Sequence, residues 1–105
     1  MQWLVGRSCF QNVERWLGLE RQGNCIHFQM RPWQASRSGQ TILVDCEHLN
    51  SILDRGGRVE DNRSSQKEMI IDFDRDRARV QINGVAQWWM DVPIIPLREA
   101  LQRLG

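Results

Sequence analysis

"MIIDFDRDRARVQINGVAQWWMDVP", Met69 to Pro93, is the segment whose reading decides the fold. Apolar and polar residues alternate through its first half, the period-two signature of half-buried strands. A turn centred on Arg75-Asp76 sets Asp74 opposite Arg77. It then brings Phe73 to Ala78, Ile71 to Val80 and Met69 to Ile82 on one face, and Asp72 to Arg79 on the other. Apolar meets apolar and acid meets base, which is what cross-strand pairing rewards.

Asn83-Gly84 opens the next turn. A two-residue type I′ loop is the default for Asn-Gly. That loop would send Gln87 and Asp91 to the core and expose Ala86, Trp88, Met90 and Val92. The hydrophobic pattern therefore predicts one extra residue, a three-residue loop with a bulge. Ala86 then faces Ile82, Trp88 faces Val80 and Met90 faces Ala78 on the core side. On the far side Trp89 faces Arg79 and Asp91 faces Arg77. Neighbouring strand residues point to opposite faces, so Trp88 goes inside and Trp89 lies among ions.

Outward from this meander, "PIIPLREALQRLG" closes the chain as an amphipathic helix with Pro96 at its first position and Leu97, Leu101 and Leu104 on one face. Upstream, "TILVD" is apolar throughout and predicts a central strand. "CEHLNSILDRGG" predicts a helix capped by Asp45 and stopped by Gly56. Between them and the meander, residues 56–66, "GGRVEDNRSSQ", are expected to form a mobile polar loop. "CIHFQMRP" alternates Ile26, Phe28 and Met30 with Cys25, His27 and Gln29, a strand to which Leu17–Arg21 can pair across Gln22-Gly23-Asn24. "SCFQNVERWLG" carries a Ser8/Gln11 capping box and a Phe10, Val13, Leu17 face, and predicts a helix ended by Gly18. "QWLV" ahead of it is a short strand.

At 105 residues the chain has room for one hydrophobic core, so residues 1–105 are expected to be a single α+β domain. Its expected plan is an antiparallel sheet of about four to five strands, helices packed on one face and the amphipathic helix at the C-terminus. No internal repeat is visible. Composition, 41% hydrophobic and 26% charged, argues against disorder. No apolar run is long enough for a membrane span, and the N-terminus lacks the apolar stretch of a secretory signal. Three cysteines without a C-x-x-C pair argue against a disulfide framework. A reducing, cytoplasmic setting is expected.

The doublet supplies the first candidate site. Trp89, Arg79, Arg77 and Asp72 would form a partner or ligand interface, since Trp and Arg dominate interface energetics. The expected partner is a second copy of the chain in a homodimer, with another protein or a small ligand as the other choice. The second candidate is the segment 31–40, where Arg31, Trp33 and Arg37 with no acid nearby suit an anion or single-stranded nucleic acid. A net charge of +1 and a pI near 7.8 argue against a dedicated nucleic-acid binder. Thirteen Arg to one Lys fit GC-rich codon use as well as function.

Cys25/His27 and Cys46/His48 repeat a C-x-H spacing that is not a usual zinc pattern. If residues 46–55 are helical, Cys46 and His48 diverge and cannot share a metal. Asp72, Asp74 and Asp76 each have an arginine within reach, which removes the negative charge a cation needs. No phosphate-binding, dinucleotide or nucleophile motif is present, and a His/Cys/Asp site for a small-molecule enzyme has no pattern behind it. The expectation is a small non-enzymatic binding protein without cofactor or metal, of a bacterial accessory, immunity-like or mobile-element kind.

Overall fold

The computed structural model describes residues 2–8, 14–32, 39–84 and 87–104. Its elements run β1 (Gln2–Ser8), β2 (Glu14–Gln22), β3 (Cys25–Pro32), β4 (Gln40–Asp45), α1 (Cys46–Ile52), β5 (Gly57–Asp61), β6 (Ser64–Asp74), β7 (Arg77–Asn83), β8 (Gln87–Pro93) and α2 (Ile94–Leu104). The architecture is α+β, antiparallel throughout and mostly strand. Among the described residues eight strands replace the four to five expected, in the order β4-β3-β2-β1-β8-β7-β6-β5.

The β6–β7 hairpin has the register the charge and apolar pattern implied, from Asp74 opposite Arg77 to Met69 opposite Ile82. The third strand enters the core with the predicted face but in a different register. Asn83 pairs with Gln87, leaving three residues in the loop, and Trp88 lies opposite Ile82, Met90 opposite Val80 and Val92 opposite Ala78. Ala86, expected opposite Ile82, lies outside the described residues. The slip from the expected pairing is two residues. An even slip keeps every side chain on its face, so Met90 and Val92 are still fully buried.

The same inward face continues around the whole sheet through Leu17, Leu19, Phe28, Met30, Ile42, Val44, Met69 and Ile71, all fully buried. Leu49 and Ile52 of α1 and Leu97 and Leu101 of α2 join the same core cluster. Among the described residues β1 and β8 pair through Arg7 with Asp91 and Ser8 with Met90. The sheet curls until its other two edges meet, where Asn62 N–H donates to Leu43 O at 2.7 Å.

Four strands and a helix therefore occur twice, and the two halves share their register. The turn Gly23-Asn24 lies between paired Gln22 and Cys25, as Arg75-Asp76 lies between paired Asp74 and Arg77. Gly23 and Arg75 both take positive φ, 61° and 57°. Asn24 O accepts the first helical N–H of α1 (Cys46) at 2.9 Å, and Asp76 O accepts that of α2 (Ile94) at 2.9 Å. In the core, Leu17–Met30 answers to Met69–Ile82 and Phe28–Ile42 to Val80–Met90. The halves share apolar positions rather than residue identities, so no repeat shows in the sequence.

Four other expectations are corrected. The helix expected over 8–18 gives way to strand at both ends, β1 running to Ser8 and β2 beginning at Glu14, and its residues 9–13 lie outside the described ones. Leu17 and Leu19 alternate inward across Gly18, and the glycine that read as a helix stop sits inside a strand opposite Trp3 and Gln29. "TILVD" is β4, at the end of the strand order rather than its centre. Its outward residues Thr41 and Leu43 are half-buried because the β5–β6 turn lies against that edge. Residues 56–66 are not a loop but β5 and the start of β6, with Val59 and Asp61 buried. Pro96 is the third residue of α2, not the first. It is still within the first turn, where a missing N–H costs no helical bond.

Helix α1 is short and leans on its cap. Asp45 Oδ1 accepts from Glu47 N–H at 2.9 Å and His48 N–H at 3.3 Å. Asp45→Ala is expected to lower stability by about 1 kcal/mol. The change should appear as a lower urea midpoint with an unchanged slope.

Candidate binding face

The outward positions of β6, β7 and β8 bring together the residues singled out in the sequence. Asp72 lies opposite Arg79 and Asp74 opposite Arg77. Asp91, expected opposite Arg77, instead lies opposite Arg79, and Trp89, expected opposite Arg79, lies opposite Gln81. The slip sharpens the site. Arg79 forks onto Asp91, Nε to Oδ1 at 2.9 Å and Nη2 to Oδ2 at 3.2 Å. With its guanidinium so fixed, Arg79 lies over the Trp89 ring, 3.7 Å from its centroid. A bidentate pair and a cation–π stack on one guanidinium hold both partners in a single geometry.

Asp72, Asp74, Arg77, Arg79 and Asp91 line an open depression of about 250 Å³, three carboxylates against two guanidiniums. On the other side of Trp89 runs a chain of polar contacts. Gln81 donates to Asn83 at 3.0 Å, Asn83 to Glu68 at 3.3 Å, and Arg58 pairs with Glu68 at 3.1 Å. The half-buried indole thus sits between an ionic patch and an amide chain. Trp88, on the inward face, is also half-buried, packed against the core and covered by Arg15 at 4.0 Å from its ring.

The backbone register continues the outward positions onto β1 and β2. Glu14 lies opposite Arg7, Arg7 opposite Asp91, Asp91 opposite Arg79 and Arg79 opposite Asp72. Across β8, β7 and β6 the charge alternates in sign, Asp91, Arg79 and Asp72. Glu14 escaped notice because residues 8–18 read as a helix, and Arg7 because the first strand was read only as far as Val5.

The remaining candidates are dispersed. Arg31 is exposed on β3, while Trp33 and Arg37 lie outside the described residues. Cys46 and His48 fall in the first turn of α1, two residues apart on a helix. Cys25 lies opposite Asp45, but burial first, then the Asp45 carboxylate, pushes its thiol above the ordinary range. Burial, with Arg63 beside it, holds the half-buried His27 imidazole below its usual range. Its Nδ1 lies 3.3 Å from Gln29 Nε2. The nearby carboxylate Asp45 is already engaged as the cap of α1. Among the described residues, no group of three or more His, Cys, Asp or Glu is placed to hold a metal. No helix there is long and apolar enough to cross a membrane. Compared with known proteins, the chain matches no family model, no curated protein and no solved structure.

Proposed function

We propose that this chain is a small non-enzymatic binding protein that associates with a second copy of itself through the outer face of β6–β8, with Trp89 as anchor. The observation that carries this reading is the fixed trio Trp89–Arg79–Asp91. A large indole and a guanidinium held in place before contact lose little side-chain freedom on binding, and these residue types supply most interface hot spots. A second copy fits because the face is self-complementary. In a two-fold contact the same patch meets itself, and a row of alternating sign can set carboxylates of one copy against guanidiniums of the other. The free thiols Cys25 and Cys46 suit a reducing cytoplasm, and an accessory role fits a chain that works by contact.

Trp89→Ala is expected to weaken the dimer by about 2 kcal/mol, roughly thirtyfold in Kd. Light scattering across a dilution series should show the variant falling to monomer mass at a higher concentration than wild type, with identical circular dichroism. Added salt should also weaken the wild-type dimer, since its ions are near the surface. Monomer mass for wild type at every concentration would end this reading.

A further inference from the structure

A second opening lies between the two helices, and its walls repeat. Asn50, Leu53 and Asp54 come from α1 and the turn after it, and Arg98, Leu101 and Gln102 from α2; the space is about 400 Å³. Counted from the helix starts Cys46 and Ile94, the two sets occupy the same places: 50 answers to 98, 53 to 101 and 54 to 102. The opening therefore lies where the two halves of the fold face each other. An adjoining depression of about 210 Å³ is lined by Arg21, Ile26, Cys46 and Leu49 and shared through Asn50 and Leu101. Arg21 is engaged there with Gly23 O and Leu104 O, and the other three continue the apolar wall.

The apolar position is the same in both halves, Leu53 and Leu101, whereas the polar positions differ. Where α1 has Asn50, α2 has Arg98; where the α1 side has Asp54, α2 has Gln102. A symmetric cleft has thereby gained one cation and one anion. Among the described residues neither Arg98 nor Asp54 is in an ion pair. Arg98 lies over the Phe73 ring at 5.3 Å, so its head is steered by an aromatic face and its charge is left to a ligand.

We propose that this cleft binds a small zwitterion with apolar side chains, a peptide of two or three residues with both ends free. Its carboxylate meets the guanidinium fork of Arg98, and its ammonium meets Asp54. Its side chains cover Leu53 and Leu101, and Asn50 and Gln102 bond its amide. A volume of this order suits a small ligand, and a fork matches a carboxylate through two parallel bonds. The site is independent of the β6–β8 face and does not need self-association.

Titration of the full chain with leucyl-leucine, followed by amide NMR shifts, tests the assignment. Saturable shifts are expected at residues 50–54 and 98–102. N-acetyl-leucyl-leucine, lacking the ammonium, should bind wild type about tenfold more weakly but bind Asp54→Asn no worse than the free dipeptide does. Leucyl-leucine amide, lacking the carboxylate, should behave the same way toward Arg98→Gln. Absence of saturable shifts, saturation at residues away from both helices, or an affinity indifferent to both end-blocks would overturn the proposal. The end-blocked peptides on wild type decide between these outcomes even if a variant folds poorly.

Discussion

Asp61→Ala is expected to destabilise the fold by about 3 kcal/mol, measured as a fall in the urea midpoint at neutral pH. Asp61 is 8% exposed, on the inward side of β5 where the sheet's two edges meet. Its Oδ1 accepts from Arg63 N–H at 2.6 Å and Arg63 Nε at 3.4 Å. Oδ2 accepts from Leu43 N–H at 3.3 Å. The carboxylate thus occupies an amide of the edge strand β4 that the sheet itself leaves open. Alanine would strand that amide and release the β5–β6 turn at once. A buried donor without a partner costs more than a typical hydrogen bond gains.

The loss should depend on pH in a definite direction. Burial pushes the Asp61 carboxyl up, but the Arg63 N–H, the Arg63 guanidinium and the Leu43 N–H together outweigh it and leave the group below its ordinary range. A carboxyl depressed in the folded state contributes fully above its unfolded pKa, near 3.9, and the contribution is lost as pH falls through the folded value. The gap between wild type and Asp61→Ala should be constant from neutral pH to about 5 and narrow on further acidification. A gap that stays the same at pH 3 would mean that the side chain's volume, not its charge, holds the seam.

What the sequence makes legible follows from how each strand hides its inward face. The β6–β7 hairpin could be read to the residue because Met69, Ile71, Ala78, Val80 and Ile82 recur at every second position, and the ions Asp72/Arg79 and Asp74/Arg77 match across the pair. β5 could not, because its inward positions are Gly57, Val59 and Asp61: a glycine, one apolar residue and an acid whose partners come from other segments. Only the start of β2 was concealed, because residues 8–18 read as a helix ended by Gly18, whereas the pairing of Leu17–Arg21 with β3 was legible. Local pattern reports what a strand does with its own side chains, and both failures occur where the environment comes from elsewhere in the chain. The candidate face divides in the same way. Trp89, Arg79, Arg77 and Asp72 belong to the legible meander, while the backbone pairing of Arg7 with Asp91 joins strands far apart in sequence that no local signal links. The cleft between the helices was invisible for a third reason, since it depends on two helices lying far apart in sequence.

Gly6→Ala tests the other seam, and a loss of about 3 kcal/mol is expected there too. Gly6 lies two residues beyond the Leu4–Leu17 pair, as Asp61 lies two residues beyond Val59–Met69, so the two residues hold equivalent places in the repeat. At one junction an acid fills the gap with hydrogen bonds. At the other the strands close directly, and a Cβ on Gly6 would collide with the Asp91 carbonyl oxygen and come within 2.8 Å of Met90 Cε and 2.9 Å of Val92 Cγ1. The methyl ends can move, but the carbonyl belongs to β8 and is part of the ladder that joins the halves. Gly23 gives the contrast. It has φ of 61° and nothing within 4 Å of an added Cβ, so Gly23→Ala should cost only about 1 kcal/mol, the backbone preference alone. Urea unfolding of the two variants separates close approach from conformational freedom. Amide exchange then locates the damage, with faster exchange expected in β1 and β8 for Gly6→Ala and at the β2–β3 turn for Gly23→Ala. Equal losses from both glycines would show that β1 and β8 are not in contact at this point, and the closure of the sheet across its two halves would fall with it.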